Sequence, residues 1–203
     1  MTAQHYFSAT PDGPLERRSI QVRLRGHAAT VTTAGGTFSP EHLDRGTQAL
    51  LAAAPKPPAT GTALDLGCGW GAISLALALE SPELDVWAVD VNERALLLTR
   101  ENAENLLRDR IRTSLPADVP ADARFDLIWS NPPIRIGKDA LHELLMDWLP
   151  RLSADGEAWL VVAKKLGGDS LQAWIAKQFG PELSVERHST DAGFRVLRVR
   201  RAQ

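Results

Sequence analysis

An α/β fold, with a mostly parallel sheet covered by helices on both faces, is predicted by three observations. Apolar strand-like runs alternate with helical runs from about residue 62 onward. Parallel strands need crossover connections, and right-handed crossovers build that layer order. The first strand runs into a turn with glycines at 67, 69 and 71, the kind of loop that follows a strand and opens a helix in doubly wound sheets. The last two strand-like runs are separated only by Asp191-Ala192-Gly193, too short for a crossover, so they are antiparallel to each other.

The elements follow from periodicity. "SIQVRLRG" and "HAATVTTAGG" alternate as two short strands meeting at Gly26, and a helical pattern runs from about Pro40 through Ala54 with Leu43, Leu50 and Leu51 apolar. Pro55, Pro57, Pro58 and Gly61 form a breaker-rich connector. "TALDLG" then reads as a buried strand, "WGAISLALALES" as a helix, "LDVWAVDV" as a strand and "NERALLLTRENAENLLRD" as an amphipathic helix. "IRTSL" and "RFDLIWS" are the third and fourth strands. "KDALHELLMDWLPRL" is a helix whose Leu141, Leu144, Leu145, Trp148 and Leu149 form one core-facing stripe. "EAWLVVAKK", the helix "DSLQAWIAKQFG", and the strands "LSVERHST" and "GFRVLRVRR" complete the order. The reading is one domain over 1–203, with an N-terminal extension over 1–55 and a core over 56–203.

Composition narrows the class. With 203 residues, 44% hydrophobic and 24% charged, the chain can bury a sizeable core. A single cysteine, Cys68, excludes an intrachain disulfide framework. Neither a signal-type run nor a membrane-length apolar stretch occurs, so a cytoplasmic protein without membrane partners is expected. The net charge of −2 exerts no global pull toward nucleic acid, although arginines gather at 17, 18, 23 and 25 and at 195, 198, 200 and 201. Such clusters are either solvated strand edges or a phosphate-facing patch. The five histidines show no ligand spacing with each other or with Cys68, so no metal is expected, and no Gly-x-Ser-x-Gly elbow occurs.

Three strand ends carry the chemistry. In "LDLGCGWGA" the glycines let backbone approach a ligand at a helix N-terminus, where N–H groups are unpaired, while Cys68 is a small filler between them. Asp65 precedes that turn, and Asp90 ends the second strand, where a carboxylate can accept from both hydroxyls of a ribose. Glycines and carboxylates together point to a nucleoside ligand, either NAD or another adenosine compound. "FDLIWSNPPIRIGKD" separates the two. An aromatic amine is a poor nucleophile, and its two hydrogens need acceptors held at fixed angles so that the lone pair points at a methyl donor. The Asn131 side-chain oxygen and the Pro132 carbonyl, held by a rigid Pro-Pro turn, supply both. A nicotinamide enzyme has no comparable use for them.

The combination Asp65-x-Gly67-x-Gly69-x-Gly71, Asp90 and Asn131-Pro132-Pro133 resembles the class I S-adenosylmethionine-dependent methyltransferases that methylate amino groups. More narrowly, "HYFS", "GTFSPEHLDRGTQALL" and "SNPPIRIGK" are similar to the small single-domain relatives of the ribosomal small-subunit RNA guanine-N2 methyltransferases. The resemblance implies a Rossmann-like three-layer fold whose seven-stranded sheet has an antiparallel last strand. It implies S-adenosylmethionine as cofactor, with Phe38 nearby, Gly67 to Gly71 at its amino-acid part and Asp90 at its ribose, and with Asp65, Cys68, Val91, Asn92 and Asn131 also among the cofactor-binding residues. An acidic residue near the adenine is expected after the third strand, where Asp118 is nearest and Asp122 a second candidate. The substrate implied is ribosomal RNA or the small subunit, contacted through Pro133, Ile134, Arg135 and Lys138. Ile134 departs from the family, which often has a base-stacking aromatic there, and the second domain of the larger enzymes has no counterpart. A protein glutamine methyltransferase and a non-catalytic RNA-binding module keeping the fold are the alternatives.

Overall fold

The computed structural model describes residues 14–133 and 136–202. "HYFS" at the N-terminus, Ile134 and Arg135 lie outside them. Two antiparallel strands come first, β1 (Arg17–Leu24) and β2 (His27–Ala34), followed by helix α1 (Arg45–Ala53). The alternating part is β3 (Thr60–Leu66), α2 (Ala72–Glu80), β4 (Glu83–Val89), α3 (Glu93–Asn105), β5 (Ile111–Ser114), β6 (Phe125–Ser130) and α4 (Lys138–Trp148). β7 (Leu152–Ala163), α5 (Gly168–Phe179), β8 (Leu183–Asp191) and β9 (Phe194–Arg201) complete it. The seven-stranded sheet has the order β5-β4-β3-β6-β7-β9-β8. β9 runs antiparallel between β7 and β8, and the remaining neighbours are parallel, so the expected Rossmann-like sheet is present.

Side-chain alternation splits the core into two layers. Ala63, Val86, Leu127, Trp129, Trp159 and Val161 face α1, α2, α3 and the hairpin. Leu64, Ile128, Leu160 and Leu197 face α4 and α5, where Leu141, Leu145 and Trp148 form the buried stripe that helical spacing anticipated. α2 lies between sheet, hairpin and α3, and Ala72 through Ala78 are all buried, which is why its sequence shows little polarity.

Two boundaries differ from the sequence reading. α1 starts at Arg45 rather than Pro40 because Asp44 caps it, accepting from the N–H groups of Gly46 and Thr47. Upstream, Thr33 Oγ1 donates to the Pro40 carbonyl and Ser39 Oγ to the His42 carbonyl, holding that segment as turns. β7 starts at Leu152 rather than Glu157, because Leu152 already pairs with Phe125 ahead of a register irregularity.

The hairpin and α1 share the core with the sheet. Arg25, at the hairpin turn, donates to the Leu51 and Ala54 carbonyls at the end of α1 and pairs with Glu80 of α2 at 2.7 Å. The remaining clustered arginines are also engaged: Arg17 with Glu101, Arg18 with Glu41, Arg195 with Asp169, and Arg198 with Glu157. Arg23 donates to the Gly26 carbonyl and Arg201 to the Leu152 and Pro150 carbonyls, and Arg200 lies 3.9 Å from Glu186, so both clusters are taken up along strand edges by carboxylates and backbone carbonyls. Replacing Arg25 with alanine is expected to lower unfolding free energy by about 1.5–3 kcal/mol, since half-buried carbonyls and Glu80 lose a charged donor together. Urea unfolding would show this, and an unchanged midpoint would deny Arg25 its anchoring role.

Candidate active site

The strand order reverses between β3 and β6, and their carboxyl ends lie side by side. Leu66 pairs with Ser130, and Ser130 Oγ donates to the Leu66 carbonyl at 2.7 Å. The next residues, Gly67 on one strand and Asn131 on the other, are thereby brought together although 64 positions separate Leu66 from Ser130. A crevice at such a reversal is where open α/β sheets bind ligands. It is lined here by Phe38, Ser39, Leu43, Asp44, Thr47, Gly67, Cys68, Gly69, Trp70, Ala72, Ile73 and Asn131.

The glycine turn is held from several sides. Gly67, Gly69 and Gly71 have φ of 79°, 57° and 96°, a region that costs other residues strain. The N–H groups of Gly67 and Cys68 both donate to the Val89 carbonyl, Thr99 Oγ1 donates to the Gly69 carbonyl, and Asn102 Nδ2 donates to the Trp70 carbonyl. A Cβ at Gly71 would lie 3.0 Å from the Thr99 methyl, while one at Gly67 would meet nothing within 4 Å. The first fills a packed contact; the second faces the crevice. Cys68 is buried, which pushes its thiol pKa well up, and Trp70 is buried with its Nε1 donating to the Ser39 carbonyl. Trp70 is a packing residue that also borders the crevice.

The two acids differ. Asp90 reaches into the turn, where Oδ2 accepts from the Gly69 N–H and Oδ1 from the Asn92 N–H, each at 2.9 Å. Burial raises its pKa, opposed by those backbone N–H groups. Asp65 is fully buried beneath α2, not on the crevice wall: its Oδ2 accepts from Ser74 N–H at 2.9 Å and Ser74 Oγ at 2.6 Å. Among the described residues its Oδ1 has no partner. Burial pushes the Asp65 pKa from 3.8 up to about 7, against the pull of Ser74 and with a further push from Asp90. Val91 is 43% exposed, and Asn92 caps α3 while its Nδ2 donates to the Gly36 carbonyl. Phe38 is 41% exposed at the crevice rim.

Asp118 sits on a single 3-10 turn, Pro116–Asp118, after β5. It borders a separate cavity of about 370 Å³ between α3 and β5, together with Glu93, Arg100, Ser114 and Leu115. Pro132 is buried and Pro133 half-buried. The Pro133 carbonyl accepts from the Ile136 N–H, and Lys138 is exposed at the start of α4.

Two residues of this crevice escape the sequence reading. Asn131 Nδ2 donates to Asp44 Oδ2 at 2.8 Å and to Thr47 Oγ1 at 3.1 Å. The signal was present in "LDRGTQALL", where Asp44 is a residue of helix N-cap type standing just before an apolar helical run. Starting the helix at Pro40 hid it. Among the described residues, no group of three or more His, Cys, Asp or Glu could hold a metal ion, and no helix is long and apolar enough to cross a membrane.

Comparison with known proteins agrees with this geometry. The profile of the Methyltransferase small domain family matches residues 28–198. The protein YbxB of Bacillus subtilis, itself uncharacterized, is 32% identical over 202 residues, which is 98% of this chain and 99% of YbxB. The ribosomal RNA small subunit methyltransferase C of Erwinia tasmaniensis is 36% identical over 138 residues, covering 65% of this chain and 40% of that protein. The protein of the same name from Acinetobacter baumannii is 33% identical over 194 residues, covering 91% and 55%. The chain thus spans about half, or less, of the curated RNA methyltransferases it matches. A solved structure of the T. thermophilus 16S rRNA N2 G1207 methyltransferase, in complex with AdoMet and guanosine, superposes with a TM-score of 0.78 at 23% identity, over 95% of this chain and 52% of that one. At that identity the likeness supports the fold.

A raised carboxylic acid has a stability signature. The folded chain keeps a proton on Asp65 that the unfolded chain releases near its ordinary pKa of 3.8, so the contribution is fully present below about pH 4 and is lost as pH rises through about 7. The stability of wild type relative to Asp65→Asn should therefore fall over that window, by at most about 1.4 kcal/mol per pH unit for one proton. Urea titrations at intervals across the window test it, and parallel profiles would mean that Asp65 is ionised throughout.

Proposed function

The chain belongs to the Methyltransferase small domain family, and we propose that it transfers a methyl group from S-adenosylmethionine to the exocyclic N2 of a guanine in ribosomal RNA. The observation that carries this reading is the register pairing of β3 with β6, which sets a glycine turn beside an asparagine whose amide N–H groups are already taken. An amide nitrogen held by a carboxylate and a hydroxyl leaves its oxygen facing the other way, and among the described residues Asn131 Oδ1 takes no hydrogen bond. That oxygen is the acceptor required by one hydrogen of an aromatic amine.

The residues fit the donor. Gly67 exposes backbone to the crevice with no side chain in the way, and Asp90 ends the neighbouring strand with lone pairs to spare beyond its bonds to Gly69 and Asn92. We assign Gly67, Cys68, Gly69 and Gly71 to the amino-acid part, Asp90, Val91 and Asn92 to the ribose, Phe38 to the crevice mouth, and Asp118 to the adenine side. Asp65 serves from beneath, through Ser74 at the first turn of α2. When bound, S-adenosylmethionine supplies an electrophilic methyl on a sulfonium. The protein's part is to hold the amine: Asn131 Oδ1 and the Pro132 carbonyl accept its two hydrogens, so that its lone pair is directed into the crevice. No strong base is required, and fixed dipoles supply the stabilisation.

The acceptor class rests on the curated relatives named for ribosomal RNA. A glutamine side-chain amide would use the same two acceptors, and those names favour RNA. Among the described residues Arg45, Lys138, Lys164 and Lys165 make no ion pair, and all follow the sheet's carboxyl edge or start a helix there. Cations so placed suit a phosphate backbone, which positions RNA without reading its sequence. Pro133 is assigned to the acceptor side, and the resemblance assigns Ile134 and Arg135, outside the described residues, to the same role. The hairpin and α1, sharing one core with the sheet, support treating 1–203 as a single methyltransferase unit. A substrate of this kind is met in the cytoplasm.

The test is transfer of labelled methyl to small ribosomal subunits from a strain lacking this protein, followed by nucleoside mass spectrometry. N2-methylguanosine is expected; label in protein alone, or on another nucleoside, would defeat the assignment. Asn131→Ala should keep donor affinity and lose only modest stability, from leaving Asp44 and Thr47 without their amide donor, while transfer falls about a hundredfold or more. Near-normal transfer would remove Asn131 from the mechanism. Asp90→Ala should instead weaken donor binding by about 1.5–3 kcal/mol, the loss of a charged hydrogen-bond acceptor, measurable by calorimetry.

A further inference from the structure

We infer that Asp44, seconded by Thr47, is a positioning residue that sets which way the Asn131 amide faces, so that α1 and the segment leading into it belong to the catalytic apparatus. This rests on the reading of Asn131 as the group that receives the acceptor amine.

A side-chain amide presents a donor end and an acceptor end of nearly the same shape, and nothing in the Asn131-Pro-Pro backbone chooses between them. The choice is made across the crevice. Asp44 Oδ2, an acceptor only, stands 2.8 Å from Asn131 Nδ2, and Thr47 Oγ1 stands 3.1 Å from it. With the amide reversed, a carbonyl oxygen would face a carboxylate oxygen at hydrogen-bond distance, which is repulsive. The same Asp44 oxygen accepts from the N–H groups of Gly46 at 2.7 Å and Thr47 at 3.1 Å. One oxygen is thus fixed by two backbone donors at the first turn of α1, and it fixes Asn131 in turn.

The packing around it is tight. A Cβ at Gly46 would lie 2.9 Å from Asp44 Oδ2, 3.2 Å from Asn131 Nδ2 and 3.1 Å from the Phe194 ring, so only glycine lets α1 come this close. Thr47 is 5% exposed and Gly46 is also buried, so the contact is covered on the α1 side, while Asp44 and Asn131 are half-buried where they line the crevice. Asp44 therefore does more than cap a helix, since a cap needs only the two backbone donors.

Three substitutions separate the roles. Asp44→Ser keeps a good helix cap, but its hydroxyl is one bond nearer the backbone and falls short of Asn131. Asp44→Asn restores an acceptor oxygen at the right reach. Thr47→Val removes the second acceptor at constant shape. At saturating donor and RNA, Asp44→Ser should lower kcat at least about tenfold, Asp44→Asn should recover most of it, and Thr47→Val should fall between, with S-adenosylhomocysteine affinity near wild type. In an Asn131→Ala background Asp44→Ser should cost nothing further, because the two act as one unit. The Asn131 side-chain amide, assigned in nitrogen-15 spectra by its loss in Asn131→Ala, should be exchange-protected in wild type and lose that protection in Asp44→Ser.

Additive losses in the double variant, an Asn131 amide indifferent to Asp44→Ser, or a defect confined to S-adenosylhomocysteine binding would each overturn the inference. A wild-type protein that methylates no RNA, but whose Asn131 amide still depends on Asp44, defeats the proposed reaction and leaves the positioning role standing.

Discussion

The site depends on the pairing of β3 with β6. Both strands are buried on both faces near their carboxyl ends, so their register is set by two layers of core at once. A slip of one residue would send Asp65 and Trp129 to the layer of α4 and α5, and Leu64 and Ile128 to that of α2. The bond from Ser130 Oγ to the Leu66 carbonyl closes the last rung. Beyond it each chain turns away, one into glycines and the other into prolines, and the crevice between them results from that divergence.

The glycine turn is anchored in the core only through Cys68 and Trp70, and polar groups supply the rest of the restraint. Asp90 takes the Gly69 N–H, Thr99 reaches its carbonyl, and Asn102 takes the carbonyl of Trp70 while bonding to Thr32 of the hairpin through both ends of its amide. Asp65 fixes the first turn of α2 by way of Ser74. Such a network is rigid when complete and costly where it is not, and the partnerless Asp65 Oδ1 is where it is not. Burial of that carboxyl, with a further push from Asp90, is what raises the Asp65 pKa against the two bonds from Ser74.

The sheet order and the glycine turn were legible because they are written in backbone terms. Alternating apolar runs specify crossovers, three glycines in five residues specify a turn at positive φ, and Pro-Pro specifies a stiff exit; none of these needs a distant partner to be recognised. Asp65 was the exception there. Spacing placed it near the turn and could not say which face of β3 it would take, and burial under α2 decided that. The start of β7 was hidden for a related reason, since Leu152 becomes a strand residue only by pairing with Phe125 across an irregular stretch. The arginine clusters could be read as solvated strand edges or as a phosphate-facing patch, and their acidic partners, up to 84 residues away, decide for strand edges.

The Asn131 side of the crevice was legible only in part, because it depends on the orientation of one amide. "NPP" announces an asparagine at a strand end with a stiff exit behind it; it cannot announce which end of the amide faces the crevice. That is fixed by Asp44 and Thr47, 87 and 84 residues earlier, on a helix outside the alternating core. The N-terminal extension therefore has two physical tasks. Arg25 fastens it to α1 and α2 at the far end, and Asp44 applies it to the crevice at the near end. A turn made from one loop can be carried by a local motif, whereas the direction of a side-chain dipole needs a second element to fix it. In this chain that element is α1, and Gly46 is the residue whose missing side chain lets it approach.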